Sequence, residues 1–357
     1  VIASDTNEAS AAGQVAGAAG PTPQSPHPPL PSFERDLPPE ERKLLHARIK
    51  DLSVLQPWRT FLVIAFDWAI IIATIAAMNH WRTAWVYLAG IVVIATRQHG
   101  LLVIGHEAAH YRLLQNRRWN DLLGNLLCAW PTLLTTVEAY RANHLQHHWF
   151  TNSTRDPDWM RKLGKPGWSF PRRATSIYGS FILQAVGAGL LDMVAAVRSV
   201  QRANEVPNAV KAPKNPYRLI FMVLLLGSVF ATGNGKNFLL YWVVPLVTVL
   251  TCILRVRSVA EHFGLEYDHE LRQTRTVLVG PLEKFLFGQH NVNYHLEHHC
   301  YPSVPWYRLP ALRAALQAVP AYRENAHVNT SYFLPSARPF AGDLIRSDAT
   351  EHAVAPT

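Results

Sequence analysis

Three histidine-rich stretches hold the residues best suited to chemistry. His106-Glu-Ala-Ala-His110 puts two imidazoles at positions i and i+4, on one helical face. His144-Leu-Gln-His-His148 and His295-Leu-Glu-His-His299 share the pattern HxxHH. On a helix these positions are neighbours, so three imidazoles on one turn can present nitrogens to a common centre. One such turn alone reads equally well as three surface histidines. Its repetition, with the first stretch upstream and His262 closing Arg257-Ser-Val-Ala-Glu-His262, argues for convergence.

The number of ligands sets the number of ions. A catalytic zinc takes about three protein ligands and keeps one position open, and an octahedral ion with one open position takes roughly five. The nine candidates, His106, His110, His144, His147, His148, His262, His295, His298 and His299, therefore predict two metal ions. An all-imidazole set suits Fe, Zn, Cu or Ni rather than Mg or Ca. A ligating histidine is oriented through its second nitrogen, and Glu107, Glu261 and Glu297 each adjoin a candidate ligand. They are expected as acceptors for these imidazoles, with surface ion pairs as the plainer alternative. HExxH is also the zinc-protease signature, with Glu107 as general base, which makes a membrane-embedded protease the rival that leaves the other stretches unexplained. Asp156-Pro-Asp158 reads as a solvated turn capping a segment, its acids near Arg155, Arg161 and Lys162.

The elements that must position these residues are apolar. Residues 61–78 form an 18-residue apolar run, near the roughly 20 residues that cross a bilayer. A polar turn leads into 84–105, giving one hairpin that ends at the first histidine stretch. A second hairpin covers 218–232 and 238–255. Shorter or amphipathic stretches at about 122–135 and 177–197 are expected to lie in the interface. Lys and Arg gather in the long segments outside the hairpins, which puts both termini and the histidines on the cytoplasmic side. Asp67, inside the first span, is expected either to accept from a ligand imidazole or to pair with a nearby Arg or His. Residues 1–40, rich in Ala, Gly, Pro and Ser, read as a disordered tail, 40–55 as a charged surface helix, 41–334 as the membrane domain and 335–357 as a loose tail.

Composition agrees with this layout. The chain has 357 residues with 49% hydrophobic and only 17% charged, below the usual quarter. Its mean hydropathy of +0.01 averages apolar blocks against polar tails. A net charge of +9 would suit nucleic acid in a soluble protein; flanking apolar spans, it indicates membrane lipids and an acidic partner instead, and no nucleic acid. Cys128, Cys252 and Cys300 lack CxxC spacing and give no disulfide framework. His99 and His290 lie near the histidine stretches, with core or surface roles expected; His27, His46, His80, His269, His327 and His352 are expected at the surface.

HEAAH, HLQHH with DPDW downstream, RSVAEH at the end of a span and NVNYHLEHH followed by YPSVPW together resemble the membrane fatty-acid desaturase superfamily, over roughly residues 55–315. The resemblance implies an all-α integral membrane protein, four transmembrane helices in two hairpins beneath a cytoplasmic helical cap that holds two non-haem irons through the nine histidines. It implies O2 as co-substrate and oxidation of an unactivated C–H bond, with acyl-lipid desaturation as the first reading. Hydroxylation or ketone formation, including of carotenoids, is the second. Where related enzymes place an Asn four residues before the last histidine, this chain has Ser258. No HPGG haem motif occurs in the sequence given, so a separate electron donor, a ferredoxin or cytochrome with its reductase, is expected. The cytoplasmic membrane of a bacterium is the expected location.

Overall fold

The computed structural model of the protein describes residues 31–191 and 213–345. The expected disorder up to residue 30, the stretch 192–197 and the tail beyond 345 lie outside the described residues. The helices are α1 Pro39–Leu52, α2 Pro57–Trp81, α3 Ala84–Ala109, α4 Arg117–Gly124, α5 Val137–Phe150, α6 Pro157–Lys162 and α7 Ala174–Leu191. They continue as α8 Pro216–Ala231, α9 Gly235–His262, α10 Pro281–Phe287, α11 His295–Cys300, α12 Leu309–Leu316, α13 Pro320–Asn325 and α14 Phe340–Leu344. Two short strands, β1 Thr276–Val277 and β2 Val328–Asn329, pair in parallel with Thr276 opposite Val328.

Local chemistry sets the hairpin of α2 and α3. Pro57 opens α2, where its missing N–H costs nothing. Arg82 ends it in the left-handed region, and Thr83 caps α3 by accepting from Val86 N. In the most apolar window of each helix, 72% of α3 is buried against 22% of α2, so α3 is the central post and α2 faces outward through Leu62, Phe66 and Ile72. Trp68 stacks on Trp242 of α9 at 5.6 Å, and the two indoles donate to Leu127 O and Pro131 O. Helix α9 is irregular around Pro245, which has no N–H to return to the preceding turn: a wide π-type turn spans Leu239–Val243, and Thr248 leaves helical geometry.

Four helices are long and apolar enough to cross a membrane: α2, α3, α7 and α9. The segment expected to lie flat, α7, meets that length, whereas α8, expected as the third span, has 16 residues. The outer edges of the domain also differ from expectation. Residues 31–40 are not a disordered run: Phe33 is buried, Glu270 accepts from Ser32 N and Phe33 N at 2.8 and 2.7 Å, and Tyr301 Oη donates to Glu34. Likewise residues 335–345 are not loose, because Phe340 and Leu344 of α14 are fully buried against Val256, Val259 and Tyr332. One or two buried apolar anchors in each polar stretch fold it onto the core. His327, expected at the surface, is buried between Glu266 and Asp343 at 3.0 and 2.9 Å.

Candidate metal centre

All nine predicted histidines come together, in two adjoining groups. His106 and His110 sit at the end of α3, His144, His147 and His148 on α5, His262 at the end of α9, and His295, His298 and His299 on α11. One group is His106, His110, His144, His148 and His298; the other is His147, His262, His295 and His299. Within each group one ligand atom per residue lies within 4.8 Å of all the others. The groups touch where the rings of His148 and His299 stack at 4.1 Å.

The donor geometry fits cations. Nε2 of His148 lies 3.0 Å from Nε2 of His144 and 3.1 Å from that of His298. Nε2 of His262 lies 3.1 Å from that of His147 and 3.0 Å from that of His295. Two nitrogens at right angles, each roughly 2.1 Å from one ion, lie about 3.0 Å apart. Buried nitrogens His106 Nδ1, His110 Nε2, His148 Nδ1 and His299 Nε2 have no hydrogen-bond partner, a costly arrangement unless a further group meets some of them. Burial, reinforced by neighbouring imidazoles, holds His110, His144, His148, His295, His298 and His299 well below the ordinary histidine range. Their rings are neutral at pH 7, the form that ligates metal.

Of the four expected acceptors, Asp67 and Glu297 stand away from the nine histidines, and Glu107 and Glu261 each stand beside one. Asp67 is fully buried and pairs with Arg97 at 2.9 Å and His290 at 2.8 Å, not with any of the nine histidines. Glu297, one residue before His298, accepts from Thr276 Oγ1, Arg313 Nη1 and Tyr322 Oη, because neighbouring helical positions point about 100° apart. Glu107 Oε2 accepts from Trp306 N at 2.9 Å, and its Oε1 is 3.4 Å from His106 Nδ1. Glu261, paired with Arg257, reaches to 3.5 Å from His295 Nδ1.

The acceptor that sequence reasoning missed is Asp156. It is fully buried rather than solvated; Oδ1 caps α6 by accepting from Asp158 N and Trp159 N, while Oδ2 accepts from His147 Nδ1 at 2.7 Å. The Asp-Pro at a helix start, nine residues after a ligand, was the available signal. Asp158 engages Lys162, as expected, and Lys162 Nζ also donates to Ser258 Oγ at 2.6 Å. Thr151 Oγ1 lies 3.3 Å from His299 Nδ1. His99 is a buried core residue bonded to Gln289 and Arg257.

Two clusters able to hold metal sit at the ends of helices long and apolar enough to cross a membrane, the arrangement of a membrane protein with a candidate metal centre. A sequence profile described as fatty acid desaturase matches residues 82–331, and the chain belongs to that family. It is 29% identical over 290 residues to dihydrorhizobitoxine desaturase of Bradyrhizobium elkanii, covering 78% of this chain and 81% of the relative. It is 27% identical to a beta-carotene ketolase of Paracoccus sp., over 66% of this chain and 82% of the relative. Similarity to the human sphingolipid delta(4)-desaturase/C4-monooxygenase is 25%, over 69% and 72%. The family places this protein among enzymes that oxidatively modify lipid-like chains.

Proposed function

We propose that this protein is a di-iron enzyme using O2 to oxidise an unactivated C–H bond, with desaturation of a lipid-linked acyl chain as its reaction. The observation that carries this reading is the pair of histidine groups, five and four imidazoles, at the ends of α3 and α9. His106, His110, His144, His148 and His298 would hold one iron and His147, His262, His295 and His299 the other. Iron bound there would activate O2, the oxidant for removal of hydrogen from carbon. The chain's own residues do the positioning. Asp156 accepts a hydrogen bond from the Nδ1–H of His147 and so leaves Nε2 facing His262 with its lone pair. Arg257 holds Glu261 beside His295. Glu297 ties α11 to Arg313, Tyr322 and Thr276, fixing the turn that carries three of the nine histidines.

Hydroxylation or ketone formation is the second reading, favoured by the similarity to a beta-carotene ketolase. The protease reading loses its basis, since His106 and His110 share their group with three further imidazoles and Glu107 is turned to Trp306 N. Electrons would come from a separate ferredoxin or cytochrome, and a bacterial cytoplasmic membrane with the histidines facing the cytoplasm suits that supply. The test is metal analysis of anaerobically purified protein followed by lipid profiling of expressing cells. About two irons per chain with a new unsaturated lipid supports the reading; one zinc and no iron overturns it. A hydroxylated or keto product selects the second reading.

A further inference from the structure

A cleft of about 400 Å³ opens between the α1–α2 link at Ser53, the end of α3 at His110 and Arg112, the start of α4 at Arg117, and Pro302. Its floor reaches His110 of the five-histidine group. Among the described residues no Asp or Glu lines it.

Each arginine makes contacts that place it at the cleft. Arg112 donates from Nε to His110 O at 3.0 Å and from Nη1 to Ser303 O at 2.8 Å. Those bonds fix the guanidinium at the cleft and leave Nη2 uncommitted among the described residues. Arg117 lies 4.8 Å over the ring of Tyr111, which also carries Arg141 at 3.8 Å. Tyr111 adopts φ +58, a left-handed conformation uncommon for a residue with a Cβ, and this turns its ring beneath both cations. Arg141 is balanced by Asp121, whereas Arg117 has no carboxylate partner among the described residues. The cleft also sits at a defined height. Trp58 and Arg59 at the start of α2, and Arg117, Arg118 and Trp119 on α4, are exposed, the aromatic and basic pairing of a membrane–water interface.

We propose that this cleft binds the anionic head group, a phosphate or carboxylate, of the amphiphile whose chain is oxidised, with Arg112 and Arg117 as its counter-charges. The proposal rests on the lipid-oxidation reading and narrows it, because an uncharged hydrocarbon gains nothing from two guanidiniums lining one cleft, of which Arg117 has no carboxylate partner among the described residues. A fixed guanidinium and an exposed one lining a single cleft of about 400 Å³ fit a small head group better than the broad acidic face of a carrier protein.

The test is binding without turnover. Radiolabelled hexadecyl phosphate and hexadecanol are compared on the purified full-length protein in neutral maltoside micelles. The phosphate ester should bind about tenfold tighter than the alcohol, the size of one charge-assisted contact. Arg117→Gln should lose that margin, Arg117→Lys should restore most of it, and Arg112→Gln should behave like Arg117→Gln. Hexadecanol binding should not change in any variant. Equal binding of ester and alcohol, or indifference to the substitutions, overturns the proposal. Displacement of the ester by inorganic phosphate at equal concentration would assign the cleft to a free anion, and displacement by an acidic ferredoxin would assign it to the electron donor; either result also overturns it. Charge-selective binding in a protein that oxidises no lipid would instead sink the functional reading and leave the head-group site standing.

Discussion

The two histidine groups draw on the same sequence boxes but are held in different ways. Each HxxHH gives its i and i+4 members to one group and its i+3 member to the other: His144 and His148 against His147, His295 and His299 against His298. A step of four residues turns a helix by about 40°, while a step of three turns it about 60° the opposite way. The box is therefore a bridge between two centres rather than a ligand set for one. The four-histidine group is also fastened from behind, by Asp156 on His147 and by Glu261 near His295. The five-histidine group has no counterpart of Asp156 among the described residues: its nearest carboxylate contact is Glu107 Oε1, 3.4 Å from His106 Nδ1, while Oε2 is committed to Trp306 N. One group has a ring nitrogen bonded to a carboxylate at 2.7 Å, the other a carboxylate no nearer than 3.4 Å. With one fewer imidazole, the four-histidine group leaves one more position open to a small ligand.

Paired substitutions can break this partition, and they carry the largest expected effect. His144→Ala with His148→Ala should remove one ion of about two and stop there, since both belong to one group. His147→Ala with His148→Ala, neighbours in sequence, should take the content towards zero. Metal analysis of each purified variant reads the result, and equal losses in the two pairs would refute the division into five and four. Oxidation of the lipid chain should fall by ~100-fold or more in both.

Asp156→Asn sharpens the comparison next. The carboxylate that orients His147 is replaced by an amide that can no longer balance its Nδ1–H, so one ion should bind about 10–100-fold more weakly while the other is retained. Competition with a chelator measures this as a split between two release steps. Loss of both ions together would show that Asp156 serves the whole fold rather than the four-histidine group.

Acid should act on the metal-free protein through both groups. The folded rings of His144, His148, His295, His298 and His299 are held below the ordinary histidine range, chiefly by burial. The unfolded chain binds protons near pH 6.5 and the folded one does not. Their contribution is thus intact above about pH 6.5 and is lost as pH falls below it. The melting temperature of the apo form in micelles should fall steadily from pH 7 to pH 5, and adding back metal should flatten that slope. A flat profile for the apo form would contradict neutral burial.

How much of this was legible follows from what each feature depends on. The nine histidines and the two-ion count follow from residue type and spacing, which survive any packing. The division of the ligands does not, because it depends on where α5 and α11 point relative to each other. Glu297 was expected beside a ligand because it adjoins His298, yet its position on the helix turns it towards Arg313 and Tyr322. Asp156 reads as a surface turn in sequence, and only its burial reveals the bond to His147. Phe33 in one polar stretch and Phe340 with Leu344 in the other are too sparse to give a periodic signal but enough to anchor each stretch. Ala174–Leu191 and Pro216–Ala231 are both apolar, and what separates them as crossings is the length of the helix each forms, 18 residues against 16.

The smallest effect is expected at Glu107, and it tests the difference between the groups most directly. HExxH makes this residue the general base if the chain is a protease, and its sequence position makes it an orienting carboxylate if the groups are alike. The structure places Oε2 on Trp306 N and leaves His106 Nδ1 without a hydrogen-bond partner. In Glu107→Gln the new amide oxygen can still accept from Trp306 N, so the loop before α12 keeps its contact with α3. Both ions should remain, and lipid oxidation should fall by less than about tenfold, short of the loss expected for an orienting carboxylate. A loss of one ion as large as that in Asp156→Asn would mean that Glu107 orients His106 after all. The five-histidine group would then be fastened like its neighbour, and the contrast between them would reduce to one imidazole.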